Sequence, residues 1–317
     1  MLESASSEGP VSAPDVAALW DWSYDEDFMR RLARACAARN LRFASFHGPE
    51  LEAFAHRIEA GLGGVRMALD RVTDEMPGLI YHLMRLRGGG AHIVNDPERM
   101  VWCRDKATMH LELLTAGVRV PYGVVLSTED HPEQLEILEL APDRLGTPFV
   151  IKPAEGGGGD GVVLDARSPR DVSEYVGRMG RGKVVLQRKV LPRRLGSRRA
   201  WFRVFWVLGE VYPCWWDDRT HVYDELSSED ESLYGLGELR TIVALIARVS
   251  GMHLFTTEVA MDEDDRLVAV DFVNEMPDLR PQSGHPDGVP DGLLDRLAAR
   301  LADRAAAGGA DHEASAI

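Results

Sequence analysis

Residues 147–164 read TPFVIKPAEGGGGDGVVL. An apolar run ends in Lys152-Pro153, five of the six residues 156–161 are glycine, and a second apolar run resumes at Val162. Two short β-rich runs joined by glycines predict a hairpin. Its tip has almost no side chains, so backbone N–H groups can close on something bulky and negative, and Lys152 at the base can reach the same object. Phosphate suits both. The spacing Gly156-x-Gly158-x-x-Gly161 matches the dinucleotide fingerprint, but that motif needs a helix behind it to aim at a pyrophosphate. Val162-Val163-Leu164 is strand-like instead, and no Lys-Ser or Lys-Thr closes the loop as a Walker motif would. The stretch reads as a glycine flap over nucleotide phosphates. A plain flexible hairpin is the alternative, and the rest of the chain must decide.

Working outward, 317 residues suggest two domains or three small ones. The 45% hydrophobic and 27% charged fractions are those of an ordinary soluble protein. A net charge of −15 argues against non-specific binding to nucleic acid or anionic membrane. No run approaches the length of a membrane span, and the start lacks the basic residues and apolar core of a signal peptide. Cys36, Cys103 and Cys214 are odd in number and widely spaced, and read as buried thiols in a reducing cytoplasm.

Strands are expected over 16–22, 41–46, 65–69 and 91–94, alternating with helices over 25–39, 49–60 and 74–87. Such alternation implies a small parallel sheet with helices on its faces. A helix over 105–116 ends at Gly117 and carries Lys106 in its first turn. A strand over 118–125, interrupted by Pro121, precedes the flap, and a helix over 169–179 and a strand over 183–191 follow it. Segments 200–208 and 210–216 form another hairpin. Around them lies a basic cluster, Arg188, Lys189, Arg193, Arg194, Arg198, Arg199 and Arg203, which is either a solvated face or a site for oxyanions that arginine grips bidentately. An apolar stripe marks a core helix over 237–250, capped by Gly251. Strands over 253–261 and 267–273 are joined by Asp262-Glu263-Asp264-Asp265, an exposed turn without the glycine and distant glutamate of a calcium loop.

Glu258 and Asp271 interrupt these two otherwise apolar strands. Paired across a hairpin at about 4 Å, they would repel by roughly 4 kcal/mol at an effective dielectric of 20. Protonation, arginine partners such as Arg203 or Arg280, or a divalent cation must offset this. Asn274 adds a neutral oxygen three residues after Asp271, and few carboxylates with phosphates completing the shell is how Mg²⁺ is held.

In order and spacing these residues resemble the ATP-grasp superfamily over about residues 96–283. The set is Lys106 on a helix, Lys152-Pro153 entering the glycine loop, Gln187-Arg188-Lys189-Val190 at a hinge, Arg203 in a later strand, and acidic strands ending Asp271-Phe272-Val273-Asn274-Glu275-Met276-Pro277. The resemblance implies ATP held between two α+β lobes behind an N-terminal Rossmann-like pre-ATP-grasp domain. The small polar residues at 1–14 and the Ala/Gly-rich stretch at 305–317 are expected to be disordered, and between them lie an N-terminal α/β domain over 15–104, a central lobe with the flap over 105–191 and a C-terminal lobe over 192–304. Lys106, Lys152 and the flap glycines Gly156, Gly157, Gly158, Gly159 and Gly161 would meet phosphates. Gln187, Lys189 and Val190 would line the adenine site, and Glu258, Asp271 and Asn274 would hold Mg²⁺ or Mn²⁺. Arg203 and Arg280 would stabilise the transferring phosphoryl group or an oxyanion, and Gln282 and Ser283 would face the acceptor. Two departures stand out. The family usually shows acid-x-Asn at the metal strand, so either a bulge restores the geometry or Glu275 replaces Asn274. The ribose-binding acid beyond the hinge is missing, with Arg193 and Arg194 in its place.

The implied activity is that of a cytoplasmic ATP-dependent ligase joining a small-molecule carboxylate to an amine, an amino acid or peptide, through an acylphosphate. A small-molecule kinase and a non-catalytic nucleotide-binding module are the competing readings.

Overall fold

A computed structural model describes residues 13–61, 64–127 and 142–308. The expected disordered ends fall largely outside these residues. The chain divides into two compact units, one made of residues up to Pro97 together with those from Leu294 onward, the other running from Glu98 to Leu293.

The first unit holds β1 (Val16–Trp20), α1 (Glu26–Ala37), β2 (Phe43–Phe46), α2 (Glu50–Glu59), β3 (Met67–Arg71), α3 (Ile80–Gly88) and β4 (His92–Val94). Its four strands pair in parallel in the order β2-β1-β3-β4. β1 and β3 are buried along their whole length, as central strands covered on both faces must be. The expected helix over 74–87 starts only at Ile80, after a 3₁₀ turn at Pro77–Leu79. Proline at 77 disfavours helical backbone at Met76, and the Asp70 carboxylate accepts from the N–H groups of Val72 and Thr73, shaping a turn ahead of it. Most of a C-terminal helix, α10 (Asp291–Ala307), also belongs to this unit. Arg31 of α1 and Arg39 just beyond its end bond Asp295 and Asp303 of α10 at 2.8 and 2.6 Å. This helix, α4 (Pro97–Cys103) and α8 (Ser228–Leu233) fall where no helix is expected from the sequence pattern.

The second unit opens with α4 and α5 (Lys106–Thr115), then β5 (Gly123–Ser127), α6 (Pro142–Leu145), β6 (Phe149–Pro153), β7 (Val163–Ala166), α7 (Pro169–Met179) and β8 (Lys183–Arg188). Its first sheet is antiparallel in the order β5-β8-β6-β7. β5 begins past Pro121, which lacks the N–H a ladder needs. β8 ends at Arg188, three residues short of the expected Leu191. α7 starts with a full capping box between Ser168 and Asp171.

After the small hairpin of β9 (Arg194–Leu195) and β10 (Arg198–Arg199) come β11 (Trp201–Val207), β12 (Glu210–Trp216), β13 (Tyr223–Glu225), α8, α9 (Glu238–Ser250), β14 (Leu254–Met261) and β15 (Leu267–Asn274). These strands make a five-stranded antiparallel sheet ordered β13-β12-β11-β14-β15. Gly251 ends α9 in the left-handed conformation, φ 68°. Phe202, Val204, Trp215, Phe255, Val259, Leu267 and Ala269 pack with α9 residues Leu239, Ile242, Val243 and Ile246 in the main core. Strand alternation then turns Trp201, Arg203, Trp216, Thr256 and Glu258 to the opposite face. That second face carries the chemistry.

Candidate active site

Three neighbouring strands set the row. Arg203 on β11 lies opposite Glu258 on β14, and Glu258 lies opposite Asp271 on β15. Asn274 joins them through a bulge. Between the pairs Thr256↔Asn274 and Glu258↔Asp271, β15 spends one more residue than β14. Phe272 and Val273 both pack toward the core, so Asp271 and Asn274 return to one face despite their odd spacing. The bulge that the acid-x-x-Asn spacing requires is present. A second register shift, between Glu258 and Val259, leaves Val270 as the extra residue of β15.

Arg203 is the hub. Its Nη1 donates to Glu258 Oε1 at 3.1 Å and its Nε to Thr256 Oγ1 at 3.3 Å. With its amide turned as its neighbours require, Asn274 accepts from Arg203 Nη2 at 2.7 Å and donates to the Met276 carbonyl at 3.2 Å. The guanidinium also lies 5.2 Å from the Trp216 ring centre. Trp201 Nε1 donates to the other oxygen of Glu258 at 3.1 Å. Burial pushes the Glu258 carboxyl above its ordinary range; Arg203 opposes the rise and the Asp271 charge adds to it. Of the two counter-ions proposed for the acid pair, Arg203 takes the role. Arg280 instead binds Asp278 at 2.6 Å and Asp287 at 3.0 Å.

The first sheet meets this row directly. Lys152 Nζ stands 3.9 Å from Asp271 Oδ1 and donates to the Val270 carbonyl at 3.2 Å. The buried Gln187 amide approaches the same carbonyl at 3.4 Å. His110, buried on α5, lies 5.8 Å from the Phe272 ring, and burial together with the Lys152 charge holds its pKa down. Lys106 donates to the Gly156 carbonyl, which brings the helix lysine onto the glycine loop. Its position is set by Asp105, which caps α5 through the N–H groups of Ala107 and Thr108 and pairs with Lys183 at 2.6 Å.

The glycine loop is exposed, and Gly156, Gly158, Gly159 and Gly161 all have φ between 64° and 110°. A side chain at Gly161 would also stand 3.3 Å from the Tyr175 hydroxyl. These backbones suit glycine alone.

The other sequence-selected residues divide. Lys189 and Val190 follow β8 directly, and the Lys189 ammonium bonds Asp165 at 2.6 Å. Gln282 donates to the Tyr223 carbonyl, and exposed Ser283 bonds Asp291. Most of the basic cluster is neutralised: Arg193 pairs with Asp265, Arg198 with Asp224 and Arg199 with Asp218. It is a solvated, salt-bridged face rather than an open oxyanion site, with Arg203 the member that faces the acidic row. Glu275 binds Arg104 at 2.7 Å. Asp262–Asp265 form the hairpin turn expected of them, with Asp262 bonded to Arg266. The tryptophan-rich stretch Trp201, Trp206, Trp215 and Trp216 reads from sequence equally as a pocket wall or as core; Trp201 and Trp216 border the row, whereas Trp215 and Trp206 pack in or against the core, and Thr256 had no signal beyond strand alternation next to Glu258.

Among the described residues no group of three His, Cys, Asp or Glu side chains is disposed to hold a metal alone. The available donor set is two facing carboxylates and one amide oxygen on a single sheet face, which fits a hard divalent cation whose remaining ligands come from phosphate.

Solved structures share this arrangement of elements. D-cycloserine synthetase DcsG superposes with a TM-score of 0.62 at 15% identity, over 92% of this chain and 99% of that one. An ATP-grasp RimK domain protein from Sphaerobacter thermophilus gives 0.59 at 22%, over 91% and 98%. D-alanine–D-alanine ligase from Bacillus anthracis, complexed with ATP, gives 0.61 at 12%, over 93% and 97%. This chain has the ATP-grasp fold. No protein-family model and no curated protein matches its sequence. Identities this low carry the ATP-grasp architecture across, and the roles of individual residues rest on the geometry above. Among the described residues no helix is long and apolar enough to cross a membrane.

Proposed function

We propose that the protein is an ATP-dependent ligase that joins a carboxylate to an amine. The observation that carries this is the meeting of Lys152 with Asp271 at 3.9 Å, beneath a glycine loop already touched by Lys106. Two lysines, a pliable row of backbone N–H groups and an oxygen-donor row on the facing sheet are what a nucleoside triphosphate needs. Lys106, Lys152 and the loop would bind the phosphates, while Gln187, Lys189 and Val190 would line the base. Glu258, Asp271 and Asn274 would hold Mg²⁺, which when bound neutralises charge on the phosphates. The engagement of Glu275 by Arg104 favours Asn274 over Glu275 as the third donor.

A substrate carboxylate oxygen would attack the γ-phosphorus, the bond to the β-phosphate oxygen would break, and ADP and an acylphosphate would form. The amine would then add to the acyl carbon, lose a proton and expel inorganic phosphate. Arg203, whose guanidinium bonds the acidic row and lies over Trp216, would hold the incoming carboxylate or the oxyanion. Lys152 acts on the phosphates as a point charge. In this scheme no side chain serves as a covalent nucleophile. The burial of all three cysteines agrees, with the thiols of Cys36 and Cys103 pushed up to about 11 and about 12.

A screen of amino acids and short peptides for phosphate release from Mg-ATP, with mass spectrometry of each hit, tests the reading. Phosphate and a new amide are expected together. Phosphorylated product without phosphate release would make it a kinase, and nucleotide binding with no turnover on any substrate would remove the enzyme altogether.

A further inference from the structure

The donors assigned to the metal are already in contact with cations. Arg203 bonds Glu258 and Asn274 through its two terminal nitrogens, and Lys152 stands beside Asp271. Two positive side chains face two carboxylates, so the row is electrically balanced without any ion. The side chains of Arg203 and Glu258 are only 16% and 15% exposed, so solvent screens an added charge poorly there. A divalent cation entering alone would meet the guanidinium at two of its three donors and leave uncompensated positive charge. A triphosphate brings the missing negative charge and offers the guanidinium and the ammonium new partners.

We propose that Arg203 stands in for the metal in the nucleotide-free protein, so that a divalent cation enters this site only together with the nucleotide. This rests on the Mg-ATP reading above. In the nucleotide-free protein Arg203 thus keeps Glu258 and Asn274 hydrogen-bonded until the triphosphate arrives. The Trp216 ring and Thr256 hold its base, so the guanidinium shifts its terminal bonds without leaving the site.

Mn²⁺ titration followed by the EPR signal of the free ion tests this on the full chain. The arms are protein alone, protein with a non-hydrolysable ATP analogue, and the variants Arg203→Met and Arg203→Lys without nucleotide. The wild type alone is expected to bind Mn²⁺ at least tenfold more weakly than with the analogue, after the analogue's own affinity is subtracted. Arg203→Met should gain at least tenfold in nucleotide-free affinity, whereas Arg203→Lys, which keeps the charge, should not. Circular dichroism reports whether each variant is folded, and the two wild-type arms decide the matter if Arg203→Met is not. Equal Mn²⁺ affinity with and without the analogue overturns the proposal and leaves the Mg-ATP reading intact, as does a folded Arg203→Met that gains nothing. Absence of Mn²⁺ beyond the analogue's own, in the wild type, overturns both.

Discussion

Each unit contains an arginine–carboxylate pair withdrawn from water, and the two pairs are built differently. In the first, Arg71 grips Asp25 with two bonds of 3.0 and 2.7 Å, and both side chains are 1% exposed. In the second, Arg203 divides its donors among Glu258, Thr256 and Asn274, with Asp271 and Lys152 continuing the row. The first pair is bidentate, one fork on another. The second is spread over four strands of two sheets. Depth of burial does not single out the pair at the proposed site; the sharing of its donors does, because a shared network can be redistributed when a ligand arrives.

Removing Asp25 is the strongest test of that contrast. Asp25→Ala takes away the carboxylate held by a buried guanidinium and should destabilise the protein by about 3–5 kcal/mol in urea unfolding. Nucleotide binding by the folded fraction should be unchanged. Lys152→Ala should do the reverse, lowering kcat for ATP turnover by about 10²–10³-fold while leaving the unfolding midpoint alone. Unchanged turnover in that variant would remove the site from where it has been placed. Gly161→Ala falls between the two, since a left-handed φ of 72° costs an alanine roughly 1–2 kcal/mol. The cost should appear as weaker nucleotide binding in calorimetry, because the flap must keep its shape to close.

Acid pH gives a subtler separation. Hydrogen bonding to Arg42 outweighs burial and holds the Asp15 carboxyl below its ordinary 3.8. The stability it supplies is therefore present above that value and lost as pH falls through the lower folded one. The difference in stability between wild type and Asp15→Asn should be largest near neutrality and vanish in strong acid. The smallest effect is expected at Arg193, whose partner Asp265 is exposed. Arg193→Ala should change stability by about 0–1 kcal/mol and leave the substrate KM unmoved, whereas a large KM effect would restore the basic cluster as an anion site.

Much of this site could be read from the chain. The flap, its two lysines and the acid pair sit in local patterns where residue type and spacing carry the chemistry, and Glu258 does face Asp271. Other parts were hidden. The reach of Arg280 is spent on Asp278 and Asp287, a choice made by the path of the loop around it. The helix over 291–307 is rich in alanine and leucine, and its place shows only in the assembled first unit, where its Asp295 meets Arg31 of α1. Arg193, Arg198 and Arg199 looked like a charge cluster because their aspartate partners lie elsewhere in the chain.

Sequence by itself determined which groups this protein can offer to the proposed phosphate and metal sites, since glycine runs, lysines at strand ends and acids in apolar strands are local facts of steric freedom and solvation. The tertiary structure alone decided which charges meet. Strand register set Arg203 against Glu258, and one extra residue in β15 turned Asn274 back beside Asp271. Electrostatic contact depends on a few ångströms between distant segments, and only the assembled sheets fix those distances.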